Sequence, residues 1–213
     1  KKQAELAKTQ QMSAQSLQEA TVKTVEAKMK QTFQYLHDLL KQLAVLKPVN
    51  PLSFSIPSVT ELKDLQYLDS FIDNRKKRIN DVEVFDFITF YIKWGSTNKV
   101  SIERDMPASA QKIRDGLIQN GVKFAEEELR SPRGTVAGWK FMMDQAITTD
   151  VKIRADHDQP RLLIGVRNLI RLGTDEFVVP AGDIDEAWLE EFAKTLLGHN
   201  SSFQKYKVQT PLR

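Results

Sequence analysis

The chain has 213 residues, of which 41% are apolar and 28% are charged, with 31 Lys and Arg against 28 Asp and Glu. This apolar content excludes a wholly disordered chain, and the length suits one globular domain with an appendage. The absence of cysteine excludes disulfides, thiolate nucleophiles and Cys-ligated zinc. The longest apolar run, at residues 162–166, is too short to cross a membrane. We therefore expect a cytoplasmic chain, and its first residue, Lys1, is compatible with a longer parent chain.

Composition divides the chain near Pro48. Residues 1–47 contain no Gly or Pro and carry eight Lys against four acidic residues, which gives this segment a charge of +4. The basic excess of the chain therefore belongs to this segment. We predict a long helical arm that serves oligomerisation at 1–47, a Pro-rich connector at 48–57, an antiparallel α+β domain at 58–200 and a C-terminal tail at 201–213.

The arm consists mostly of good helix formers, and its apolar residues follow the a/d spacing of a coiled coil, interrupted only at Thr32. This seam comprises Val22, Val25, Met29, Leu36, Leu39, Leu43 and Leu46. The spacing predicts pairing with a second copy or with a helical partner protein, as a dimer or a tetramer. An amphipathic helix that lies on its own domain also needs an apolar stripe, and a wider apolar face beyond Phe33 indicates docking there.

The connector leads to a predicted second helix, for which Ser58 and Glu61 are spaced as a capping box. Its apolar face comprises Leu62, Leu65, Leu68 and Ile72, and the basic run at residues 75–78 follows at its end. From Val82 the apolar period changes to two, which predicts a strand through Trp94. The turn chemistry of residues 95–98 predicts a hairpin, with its second strand at 99–104.

The remaining elements are a helix from Pro107 to the cap at Asn120, two strands joined by a turn at 131–134, and a strand at 151–156. Further strands are predicted at 162–172 and 177–179, and a closing helix begins near Asp183. The pattern predicts an α+β fold, in which a long coiled-coil-like helix joins a mostly antiparallel sheet domain with three helices. We expect Trp94, Trp139 and Trp188 to be largely buried.

Two groups of basic residues are candidate phosphate-binding sites. They are Arg75, Lys76, Lys77 and Arg78, followed by Arg161, Arg167 and Arg171. Phosphate contacts require cations clustered on one surface. The chain beyond the arm carries 23 basic and 24 acidic residues, however, so these clusters do not belong to a basic domain.

No catalytic residue, metal site or cofactor is predicted. The Asp156-His157-Asp158 triplet contains potential metal ligands, but neighbouring residues on a strand end point in alternating directions, so a polar turn is the simpler interpretation. Glu126 and Glu128, with Arg130 on the same strand face, are similar to a short pattern in the strand core of metal-dependent nucleases. A solvated strand face explains this pattern equally well.

These observations predict a non-enzymatic oligomeric assembly or adaptor protein that presents an α+β binding domain. The alternative is a nucleic-acid-associated protein that binds phosphate through the basic clusters. A metal-dependent, nuclease-like enzyme is the third interpretation.

Overall fold

The computed structural model describes the backbone of residues 2–209 and the side chains of Met12 and residues 15–209. Within that part of the chain, three α-helices form: α1 (Lys2–Leu46), α2 (Pro107–Gln119) and α3 (Glu186–Leu196). The strands are β1 (Val49–Asn50), β2 (Phe54–Ile56), β3 (Thr60–Leu62), β4 (Leu65–Ile79), β5 (Val82–Arg104), β6 (Phe124–Arg130), β7 (Val136–Asp156), β8 (Arg161–Arg167) and β9 (Thr174–Pro180). The predicted α+β class and antiparallel sheet are confirmed.

One antiparallel sheet has the strand order β1-β4-β5-β7-β8-β9, and β6 pairs with the N-terminal half of β7. The long strands β5 and β7 pair along most of their lengths and form the centre of the sheet. The short strands β2 and β3 form a separate hairpin. All pairs of neighbouring strands in the main sheet are antiparallel, and its two faces follow from the alternation of side chains along each strand.

One face of this sheet, which we call the covered face, carries the core. Ile88, Phe90, Ile92 and Trp94 of β5 are all buried on it. Helix α1 contacts β4, β5 and β7 as well as α3, and Phe192 of α3 packs edge-on against Phe90. The alternating pattern of β5 therefore places one set of side chains beneath the helices and the other on the opposite face.

Helix α1 packs its predicted seam against its own domain. Val25, Met29, Leu36 and Leu43 are buried there, and Thr32, the interruption of the heptads, is buried with them. The other seam residues are less covered: Val22 and Leu39 are half-buried and Leu46 is 72% exposed. Intramolecular packing thus covers most of the seam, and a second helix is not needed to bury it. Pairing through the arm stays a prediction.

Two polar contacts fix α1 where it reaches the domain. The Glu26 carboxylate accepts a hydrogen bond from the backbone N–H of Phe85 at 2.7 Å, and Lys28 donates to the carbonyl of Ile184 at 2.5 Å. N-terminal to these contacts, the side chains of residues 15–20 are exposed. The docked part of α1 therefore begins near Val22.

The predicted helix at residues 58–72 is wrong. Ser58 adopts a positive φ of 63° in the β2–β3 turn, and residues 65–79 form β4, which pairs with β5 along its length. The i, i+3 spacing did not produce an apolar face, since Leu68 is exposed at a bulge while Leu65 is buried. Pairing with a distant strand overrode the local helical pattern.

The predicted hairpin at residues 95–98 is also wrong. Strand β5 continues through this segment, and both of its halves pair with β7. The pairing register shifts between Gly95 and Lys99, so the turn-forming residues make an irregularity within one strand. A cluster of turn residues indicates a break in regular pairing, but it does not reveal whether the chain reverses.

The C-terminal residues described by the structure pack on α3. Phe203 is fully buried and stacks on Phe192 with ring centroids 4.7 Å apart. The Glu191 carboxylate bonds Lys194 and the backbone N–H of Ser202, and these two contacts lower its pKa from 4.5 to about 2. Part of the predicted tail thus packs in the core, whereas residues 210–213 lie outside the described part.

Candidate binding face of the sheet

The face of the sheet opposite α1 and α3, which we call the open face, is formed by alternate residues of five strands. The pairing register places them in rows across β4, β5, β7, β8 and β9. One row is Phe71, Tyr91, Asp150, Arg167 and Thr174; the next is Asp73, Thr89, Lys152, Gly165 and Glu176; a third is Arg75, Phe87, Arg154, Leu163 and Val178. Aromatic, apolar and charged side chains are therefore mixed on one surface.

A groove crosses this open face. Its larger part has a volume of about 530 Å³ and is lined by Phe71, Tyr91 and Arg167 among others. A second hollow of about 340 Å³, lined by Arg154, Leu163 and Val178, adjoins it. Lys152, Gly165 and Glu176 line both hollows, so they form one continuous depression centred on the second row.

Gly165 lies at the centre of this groove. Among the described residues other than its chain neighbours, no atom lies within 4 Å of a Cβ atom added there, and the φ of Gly165 is not positive. Neither close packing nor backbone conformation therefore requires glycine. Glycine in a strand interior weakens the strand relative to residues with side chains. What glycine does provide at this position is open space above β8.

Aromatic rings border the groove on the side of β4 and β5. Phe71 is 57% exposed and its ring lies 6.3 Å from that of Tyr91. The Tyr91 hydroxyl donates to Asp69 at 2.8 Å, and this hydrogen bond raises the pKa of Tyr91. The Lys152 ammonium of the second row sits 4.1 Å from the centroid of the Phe87 ring of the third row, a cation–π contact.

The charges of the open face are partly neutralised within it. Arg167 bonds Asp150, with the shorter contact at 2.5 Å, and Arg161 bonds Asp156 at 2.7 Å. Burial alone would raise the pKa of Asp156, but hydrogen bonds from Arg161 and from two backbone amides bring it below its usual value. In the part of the chain that the structure describes, Arg154 makes no ion pair. Arg154 is thus a cation beside the groove that is available to a ligand.

The basic residues predicted to bind phosphate do not form one surface. Residues 75–78 lie on β4 rather than at a helix end, so Arg75 and Lys77 point to the open face and Lys76 and Arg78 to the covered face. Carboxylate partners neutralise several of the predicted cations: Lys76 pairs with Glu83, Lys77 with Asp86, Arg161 with Asp156, Arg167 with Asp150 and Arg171 with Asp175.

The remaining polar motifs are held in local contacts. Arg114 of α2 bonds the Glu126 carboxylate with two nitrogens and lowers its pKa, and Glu128 pairs with Arg130 at 2.6 Å. No three His, Asp or Glu side chains of the described residues converge as a metal site. Asp156 accepts hydrogen bonds from the backbone N–H groups of Asp158 and Gln159, which confirms the predicted turn.

Within residues 2–209, the chain is an α+β protein in which α1 and α3 pack on the covered face of an antiparallel sheet. No protein-family model, curated protein or solved structure matches the chain. Among residues 2–209, no helix combines the length and hydropathy that a membrane crossing requires. The groove was not predicted from the sequence, because its residues come from five strands and its centre is a residue without a side chain.

Proposed function

We propose that the chain is a non-enzymatic assembly or adaptor protein, and that its open face holds an extended segment of a partner protein. The observation that carries this proposal is the open space above Gly165. Neither close packing nor the backbone conformation requires glycine at this position. An uncovered sheet face with exposed aromatic rings and a concave centre is typical of a surface that binds a ligand.

The groove defines the chemistry of the partner segment. An apolar side chain fits above Gly165 beside the half-buried Leu163, and the rings of Tyr91 and Phe71 line the same groove farther across the sheet. A carboxylate of the partner would meet Arg154 and the Lys152 ammonium on the rim. We therefore propose a segment that combines an apolar anchor with an acidic residue. Aromatic and arginine side chains supply most of the binding energy at such interfaces.

Nucleic acid is the second candidate, because aromatic rings on an open sheet face can stack on bases. Phe71, Tyr91 and Phe87 offer such rings, and Arg75 and Lys152 lie beside them. The carboxylates of Asp73 and Glu176, which share the second row with Lys152, oppose phosphate binding. This mixture of charges favours a protein partner.

Site-specific photo-cross-linking tests the proposal. A benzophenone amino acid replaces Lys152 in the groove or, as a control, the exposed Lys112 on α2. We expect a discrete adduct in producing cells from position 152 and none from position 112. Adding Gly165→Leu should remove the adduct, because the added side chain would occupy the space above residue 165, where a Cβ atom has no described atom within 4 Å beyond its chain neighbours.

Purified Gly165→Leu should unfold at the same temperature as the parent chain or slightly higher, since a strand glycine is replaced. Equal adduct yields at positions 152 and 112, or a full yield in Gly165→Leu, would contradict the proposal. The nucleic-acid candidate would be favoured instead if nuclease shortened the adduct and protease left a peptide attached to an oligonucleotide.

A further inference from the structure

The outer edge of β4 is largely unpaired. This strand lies near the end of the sheet order, and β1 pairs only with its first two residues, Leu65 and Gln66. Beyond them, no other strand of the described residues pairs with this edge. An exposed edge presents unpaired N–H and C=O groups and serves as a template for another strand.

The unpaired edge contains one regular segment with two irregular ends. The β4–β5 register shifts between Tyr67 and Asp69 and again between Arg75 and Lys76. Residues 69–75 between these shifts pair with β5 without interruption, and Ile72 is their midpoint. Bulges of this kind limit how far an added strand can pair.

We propose that two copies of the chain join through β4, paired antiparallel about a two-fold axis at Ile72. This register places Asp69 opposite Arg75 of the second copy, and the symmetry repeats the pair. Asp69 and Arg75 both lie on the open face, and in the described part of the chain neither makes an ion pair. Ser70 then lies opposite Asn74 of the second copy on the covered face, where the two can hydrogen-bond.

Neighbouring registers are less favourable. A shift by two residues places Asp73 opposite Asp73 of the second copy in one direction, and Asp69 opposite Asp73 of the second copy in the other. A shift by one residue pairs open-face side chains with covered-face side chains. Charge complementarity therefore selects the register centred on Ile72. Strand pairing in this register also covers Phe71, which is 57% exposed on the single chain and would lie diagonal to Phe71 of the second copy.

Charge reversal with rescue tests this pairing by sedimentation equilibrium. We expect the parent chain to show a mass above 24.4 kDa. Asp69→Arg and Arg75→Asp should each weaken self-association about tenfold or more, because both symmetric pairs become like-charged. An equimolar mixture of the two variants, and the double variant D69R/R75D, should associate again.

Arg78→Asp is the matched control. It makes the same change in charge as Arg75→Asp, but it lies on the same strand beyond the second irregularity and on the covered face. It should leave self-association unchanged. A parent chain that stays monomeric at about 100 µM would overturn the proposal. Failure of the mixture to associate, or equal loss in Arg78→Asp, would also overturn it, and association would then depend on another surface such as α1.

Discussion

Leu36→Glu is expected to lower the free energy of unfolding by at least about 3 kcal/mol. Leu36 is fully buried in the core that α1 shares with the sheet. The substitution both removes its packing and places a carboxylate among apolar side chains, where burying the charge is costly. Urea denaturation followed by circular dichroism would measure the loss.

Leu46→Glu provides the control for this prediction. Leu46 belongs to the same heptad seam of α1 but is 72% exposed at the end of the helix. Its substitution should change the free energy of unfolding by less than about 0.5 kcal/mol. If Leu36→Glu instead kept its stability and only lowered the mass in solution, the seam would serve intermolecular pairing rather than the core.

Trp188→Ala is expected to destabilise the fold by about 3–5 kcal/mol. Trp188 is 5% exposed, its ring stacks on Phe192 with centroids 5.4 Å apart, and it also contacts Phe203. The cluster joins α3 to the C-terminal segment and, through Phe192 and Phe90, to the sheet. Truncation would therefore leave a cavity where three parts of the fold meet.

Trp188→Phe distinguishes loss of packing from loss of the indole N–H. The indole nitrogen of Trp188 is buried without a hydrogen-bond partner in the structure, so its removal costs no hydrogen bond. Trp188→Phe should be clearly milder than Trp188→Ala in thermal unfolding. An unfolding midpoint unchanged by Trp188→Ala would mean that α3 does not belong to the core.

The sequence patterns predicted those elements whose period is set by a large buried face. Trp94 and Trp188 are buried as expected, while Trp139 is half-buried. Asn120 and Gly121 end α2, and Gly121 takes the positive φ of 66° expected after a helix. These signals are local, so they do not depend on which strand becomes the neighbour.

The wrong predictions concern segments whose structure depends on pairing with a strand that is distant in the sequence. Leu65 and Leu68 have helical spacing, but only pairing with β5 determines that one is buried and the other exposed. The basic run at 75–78 is contiguous in sequence, yet strand alternation divides it between the two faces. Gly165 carries no side chain by which sequence analysis could assign it to a site. The open space around Gly165 among the described residues becomes visible only in the folded structure.

Thiol labelling at Gly165 tests most directly whether a partner covers the groove. The chain has no cysteine, so Gly165→Cys introduces a single reporter thiol, and Asp115→Cys on the exposed surface of α2 gives a matched control. With a membrane-permeant maleimide, both purified variants should react rapidly. In producing cells, the thiol of Gly165→Cys should react at least about tenfold more slowly than in the purified variant. The thiol of Asp115→Cys should react at the same rate in cells and in the purified variant. An unchanged ratio of the two rates between purified protein and cells would contradict the proposed function.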